Sequence, residues 1–167
     1  MIVTIVAILV TLFLILANGV FVAVEFALVT SRRSKMEKLV KAGNRPAKIG
    51  VDLMADLPLS ISGAQLGITI SSLGLGLVAE PAFAKIIESI FTEPLGFPSS
   101  LSHAIAFGIA LFIVVFLHMV LGEMVPKNFA LTDPENVLCR VARLHRFFVF
   151  IFGPVIWVLN KVSSLML

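Results

Sequence analysis

The chain has 167 residues and a formal net charge of +3, with 59% apolar residues, 14% charged residues and a mean hydropathy of +1.06. Soluble domains run at about 45–50% apolar and about 25% charged, so a water-soluble domain is excluded and a membrane protein is indicated. A single cysteine, Cys139, excludes a disulfide framework and a multi-cysteine zinc site.

A spanning helix needs roughly 20 apolar residues, and three segments supply them: about 3–29, about 57–79 and about 100–123. The first is too long for a signal peptide, has no basic start and runs into Glu25 without a small-residue cleavage site. Along it Thr4, Thr11, Asn18 and Glu25 recur every seven residues and share one slowly drifting face. A carboxylate there is costly unless it is partnered or wet. Glu25 therefore either pairs with Arg32 or Arg33 at the inner interface or serves an ion. Asn18 is read as an interhelical hydrogen-bonding group.

The segment 31–56 is rich in Lys and Arg and reads as cytosolic and helical. Ser34–Ala42 continues the first span, and Gly43-Asn44 with Pro46 just beyond marks a stop. In the second span, Ser62, Gln65, Thr69, Ser72 and Gly76 follow the spacing of one helical face. That row either lines a hydrated cation path or packs helices. Beside it Ser60, Gly63, Gly67, Ser71 and Gly74 form a small-residue face of the kind that lets helices approach closely. The loop 80–98 carries Lys85 against Glu80, Glu88 and Glu93.

The third span closes in Leu117-His118-Met119-Val120-Leu121-Gly122-Glu123-Met124-Val125-Pro126-Lys127. Pro126 lacks an N–H, so it breaks the helical ladder and frees the Gly122 carbonyl four residues back. A free carbonyl beside the Glu123 carboxylate offers hard oxygen ligands of the kind Mg²⁺ or Na⁺ takes. His118 is either a proton-sensitive neighbour or a hydrogen-bonded core histidine. Lys127 should snorkel to the inner surface. The stretch 145–167 holds Trp157 and a Gly153-Pro154 break and reads as an interfacial helix, with a re-entrant or crossing segment as the alternative.

Basic residues are sparse before the first span, dense after it, sparse after the second and dense after the third. By the positive-inside bias this puts the N-terminus outside and the C-terminus in the cytosol. Arg32, Arg33 and Lys127 then meet anionic lipid head groups, and nucleic-acid binding is not expected. No nucleophile with a base and an orienting group can be assembled, so catalysis is not expected either.

The whole chain resembles the transmembrane domain of the CorC/CNNM (cyclin M) magnesium transporter family, in its bacterial hemolysin C-like branch. The carrying strings are Asn18-Gly19-Val20-Phe21-Val22-Ala23-Val24-Glu25-Phe26-Ala27-Leu28, Gln65-Leu66-Gly67-Ile68-Thr69 and Gly122-Glu123-Met124-Val125-Pro126-Lys127. The resemblance implies an all-α membrane fold of three transmembrane helices plus juxtamembrane helices, a homodimer in the bacterial inner (plasma) membrane. It implies a Mg²⁺ site in each subunit and Mg²⁺ export coupled to Na⁺ influx. It also implies ATP regulation through cytosolic CBS domains, expected after residue 167 and absent from this chain.

Carried over by position, the metal-site residues are Glu25, Gln65, Thr69, Gly122 and Glu123; from the spacing along the helices, Asn18, Ser62, Ser72 and His118 are expected behind them. The chain departs from the family where many members have serines just before the first-span glutamate, since Val22 and Val24 stand there. Gln65 and Thr69 likewise replace asparagines common elsewhere in the second span. The alternative function is a membrane anchor and sensor that regulates another transporter without conducting ions.

Overall fold

The computed structural model describes residues 2–95 and 99–165. The tip of the 80–98 segment and the last two residues of the 145–167 segment lie outside them, as do the side chains of Thr4, Glu80, Lys85, Glu88 and Glu93. The described residues are helical apart from short turns, in the order α1 (Ile2–Thr30), α2 (Arg33–Lys41), α3 (Arg45–Ala55), α4 (Leu57–Leu95), α5 (Ser99–Leu117), a π-helical segment (His118–Met124), α6 (Val125–Thr132) and α7 (Pro134–Leu165).

Four stretches are long and apolar enough to cross a membrane: Ile5–Thr30, Leu57–Ala84, His103–Thr132 and Pro134–Leu165. The sequence suggests three, and the differences have local causes. The third span does not end near Glu123. The break at Pro126 is absorbed by the π segment, which widens the turn ahead of the proline so that the helix continues to Thr132. Pro154 likewise leaves α7 unbroken, so this helix is 32 residues long and begins well before His145. The expected loop after the second span is mostly helix, because α4 runs on to Leu95.

The cytosolic segment also differs in detail. The chain bends at Ser31–Arg32, where Arg32 is extended (φ −86°, ψ 118°), so α2 is a separate helix and not a continuation of α1. The stop after α2 is built as its residues suggest. Gly43 adopts φ +85°, a region that costs glycine nothing, and the Asn44 side chain accepts the Ala47 N–H at 3.1 Å, capping α3.

α1 is the hub, packing on α4, the π segment, α6 and α7. One core cluster joins Val24, Ala27 and Leu28 of α1 to Met36, Ala47, Leu53, Ala64, Ala130, Leu138 and Ala142. A second, nearer the start of α1, holds Ile15, Leu75, Ala79 and Val114. Large apolar side chains such as Leu9, Leu12, Phe13, Leu16, Phe112 and Phe116 point outward, as a lipid-facing surface requires. Glu135, only 8% exposed, accepts the Arg32 N–H at 3.2 Å and lies 3.5 Å from Lys35 Nζ, tying the start of α7 to the α1–α2 bend.

The small-residue face of α4 is a packing face. Gly63 lies against Val149, His145 and Ile156 of α7, and Gly74 against Leu14. Gly67 makes room for the Phe21 ring, which also packs against Phe148 in a tilted arrangement at 4.6 Å between centroids. A Cβ at Gly67 would fall 2.5 Å from that ring, at its base, where a rotation gives little relief. Gly67→Ala should therefore destabilise the protein by about 1–3 kcal/mol through overpacking. Gly76→Ala, with no atom within 4 Å, should be neutral or slightly stabilising. Unfolding temperatures of the two variants in detergent check this, and equal temperatures would rule out the close α1–α4 approach.

Candidate cation site between α1, α4 and the π segment

Asn18 is completely buried, and a buried amide must find partners for both its donor and its acceptor. It donates from Nδ2 to the Gly122 carbonyl at 2.9 Å and accepts at Oδ1 from Ser72 Oγ at 3.1 Å. One side chain on α1 thus binds both α4 and the π segment. The Gly122 carbonyl is the one that Pro126 deprives of its α-helical donor, and the asparagine supplies a replacement. Gly19 completes the approach, since a Cβ there would fall 3.0 Å from Pro126 Cγ.

His118 closes this cluster. Its Nε2 is 3.4 Å from Ser72 Oγ and 3.9 Å from Glu123 Oε1. Ser72 has given its proton to Asn18 and can only accept from the imidazole, which assigns the proton of neutral His118 to Nε2. A Cβ on Gly122 would lie 2.9 Å from His118 Cδ2 and 3.2 Å from Asn18 Nδ2, so the ring and the amide both rest on the bare glycine backbone. The Glu123 side chain is about half exposed, at 50%.

Glu25 belongs to a second layer. Its carboxylate accepts from Gln65 Nε2 at 3.4 Å, and Thr69, one turn further along α4, gives its hydroxyl proton to the Gln65 backbone carbonyl at 2.8 Å. Seven residues of α1 separate Glu25 from Asn18, about 10 Å along the helix axis. The expected metal-site residues are therefore distributed over two levels, Glu25–Gln65–Thr69 and Asn18–Ser72–His118–Gly122–Glu123. Pairing of Glu25 with Arg32 or Arg33 is not what the structure has: the backbone of Arg32 binds Glu135, and Arg33 pairs with Glu37 at 3.1 Å. The bend at Ser31 carries both arginines away from α1. Ser62 joins neither level, because it donates to Asn160 Oδ1 of α7 at 2.6 Å. Lys127 sits over the Phe26 ring, with Nζ 4.7 Å from its centroid.

Sequence reasoning missed two long-range contacts that hold α7 in place: the Ser62–Asn160 bond, and fully buried His145, whose Nε2 is 2.9 Å from the Ser60 carbonyl. Ser60 and Ser62 are spaced on α4 to reach one neighbour, but nothing local in the sequence names α7 as that neighbour. Among the described residues no three His, Cys, Asp or Glu side chains converge. A cation here would meet amide, hydroxyl and carbonyl oxygens with one carboxylate at each level, a donor set for a hard ion. Cavities of about 590 Å³ between α1, α4 and α7 and about 400 Å³ beside Gly19 and Pro126 are lined mainly by apolar side chains and include neither Glu25 nor Glu123.

Comparison with known proteins identifies the family. Residues 9–167 match the family described as the Cyclin M transmembrane N-terminal domain, CNNM. The chain is 41% identical over 153 residues to the UPF0053 protein YhdT of Bacillus subtilis, covering 92% of this chain and 33% of that protein. It is 40% identical over 161 residues to MT1889 of Mycobacterium tuberculosis, covering 96% of this chain and 45% of that one. With the UPF0053 protein sll0260 of Synechocystis it shares 30% identity over 159 residues, 92% of this chain and 34% of the other. The chain thus spans between about a third and just under half the length of these relatives.

The Asn18 amide gives a direct test. Asn18→Leu strands the Gly122 carbonyl and should lower stability by about 1–3 kcal/mol. In a double-mutant cycle, Asn18→Ala and Ser72→Ala should couple by about 0.6 kcal/mol, and by no more than about 1.7, the span measured for interhelical hydrogen bonds in a membrane protein. Strict additivity in reversible detergent unfolding would mean that the bond is not made.

Proposed function

This chain belongs to the cyclin M (CNNM) transmembrane family, and from that premise we propose that it is the membrane domain of a divalent-cation transporter that exports Mg²⁺ coupled to Na⁺ influx. The observation that carries the reading is the pair of carboxylates, Glu25 and Glu123, set among uncharged oxygens and hydrogen-bonding side chains in otherwise apolar helices. Intramembrane carboxylates are costly and mark ion paths when they face the bundle interior or water.

In this reading the two levels are successive stations for one ion. Mg²⁺ dehydrates reluctantly and keeps several waters, so each station needs only one carboxylate and a few neutral oxygens. At the first, Glu25 supplies the charge with the Gln65 amide oxygen and the Thr69 hydroxyl. At the second, Glu123 supplies it with the Gly122 carbonyl. The Gly122 carbonyl has two lone pairs, so it could hold the ion with one while the Asn18 amide keeps the other and fixes its direction. His118 would answer the same carboxylate, competing with the cation when protonated. Valines at 22 and 24 offer no oxygen, so the site relies on α4 and the π segment for its neutral ligands.

The proposed placement is a bacterial plasma membrane with the N-terminus outside. The basic end, formed by α2, α3 and the start of α7, would lie in the cytosol, and α7 would lie along the inner interface. The subunit would act as a homodimer, with ATP acting through CBS domains beyond residue 167. The work proposed is binding and passage of an ion, without catalysis.

Thermal unfolding of the purified chain against MgCl₂, at matched ionic strength, tests the site. A folded-state ligand at about 100 times its dissociation constant stabilises by about 2.7 kcal/mol. The parent protein should gain melting temperature with Mg²⁺ and Glu123→Gln should lose that gain, with Mg²⁺ flux in liposomes following the same pattern. A rise with Na⁺ or Ca²⁺ alone would reassign the ion. No response to any cation, together with no flux, would replace transport by the role of a non-conducting anchor.

A further inference from the structure

Away from the carboxylates, α3 and α7 enclose a cavity of about 510 Å³ lined by Arg45, Lys48, Ile49, Asp52, Arg143 and Arg146. Four cations thus face one carboxylate, and Asp52 is engaged by Arg146 at 3.6 Å. Arg45 and Lys48 are three residues apart on one helix, as are Arg143 and Arg146 on the other, and like charges at that spacing repel. The packing of α3 on α7 nevertheless holds the two pairs together. The cavity is therefore built for an anion that the chain itself does not provide.

The surroundings identify the class of anion. On α7 the arginine face runs directly into apolar side chains: Phe147 is one turn beyond Arg143, and Phe150 one turn beyond Arg146. They are 62% and 83% exposed. A ligand held by the arginines therefore has an open, greasy surface immediately next to its charged end. The opposite wall, α3, follows the basic α2 and buries Ala47, Gly50 and Leu53 toward the core, leaving Arg45 and Lys48 free at the rim. Guanidinium groups suit phosphate because their planar fork can donate two parallel hydrogen bonds to its oxygens.

We infer that the α3–α7 cavity is a binding site for the phosphate head group of an anionic membrane lipid, with the acyl chains lying along Phe147 and Phe150. Occupancy offsets part of the excess positive charge and pins the basic end of the bundle to the membrane surface through both helices at once. The inference does not depend on the transport reading, since it concerns neither Glu25 nor Glu123.

The experiment is a titration of the purified full-length chain in uncharged detergent with phosphatidylglycerol and, in parallel, phosphatidylcholine, followed by melting temperature and by lipid retained in mass spectra of the intact complex. Phosphatidylglycerol should bind and stabilise in preference to phosphatidylcholine. The paired variant Arg143→Gln/Arg146→Gln should weaken it by about 25-fold, the product of roughly fivefold for each basic residue beside an anionic lipid surface. Arg45→Gln/Lys48→Gln, on the opposite wall, should do the same and serves if the first pair fails to fold. Lys41→Gln, exposed at the end of α2 and outside the cavity, should stay within about twofold if the cavity and not general basicity is responsible. Equal binding of the two lipids, or equal losses in all three variants, overturns the inference. So does stabilisation by inorganic phosphate, abolished by the paired variants, without any lipid preference, since the cavity would then serve a soluble phosphate.

Discussion

The bond from Asn18 to the Gly122 carbonyl is the constraint around which the bundle is arranged. A proline at 126 leaves a carbonyl in need of a donor at a depth where water is scarce. The donor comes from a different helix, so satisfying the backbone of one span fixes its distance from another. Gly19 and Gly122 follow from that requirement, because any side chain at either position would push the partners apart. Ser72 and His118 follow in turn, each occupying a hydrogen-bonding position left by the previous residue.

At the other end of α1 the same economy is achieved with charge. The bend at Ser31–Arg32 exposes a backbone N–H, and nearly buried Glu135 receives it. The carboxylate also meets Lys35, so a single residue on α7 organises the beginning of α2. Leu138, one turn further along α7, joins Met36 and Ala47 in the adjoining apolar core. The basic end is thus a folded layer with its own core and not a loose connection between spans. That is why its cations can be held in fixed geometry although they repel.

How much of this was legible in the sequence depended on the range of the interaction. The need of the Gly122 carbonyl was readable because it arises from a proline four residues away, and Asn18 was readable as an interhelical partner because an amide among apolar residues has few other uses. The close-packing face of α4 was visible in its glycine spacing. Helix lengths are harder to read from proline: Pro126 and Pro154 both lie inside continuous helices, Pro126 because a π turn ahead of it absorbs the missing donor. The partners of Glu25, Ser62 and His145 were hidden because each lies 40 or more residues away and depends on how the chain bends at Ser31 and returns through α7. The grouping of the acidic positions into two levels was hidden for the same reason.

Four threonines share one habit. Thr11, Thr30, Thr69 and Thr132 each give their hydroxyl proton to the carbonyl four residues earlier, at 2.6–2.8 Å. A hydroxyl whose proton is spent inside its own helix presents only lone pairs to whatever approaches from the side. Its helix therefore acquires a one-signed, electronegative spot without carrying a formal charge and without the penalty of burying one. At Thr69 that spot lies one turn along α4 from Gln65, the partner of Glu25, so this stretch of the helix turns a lone pair and no proton toward its surroundings.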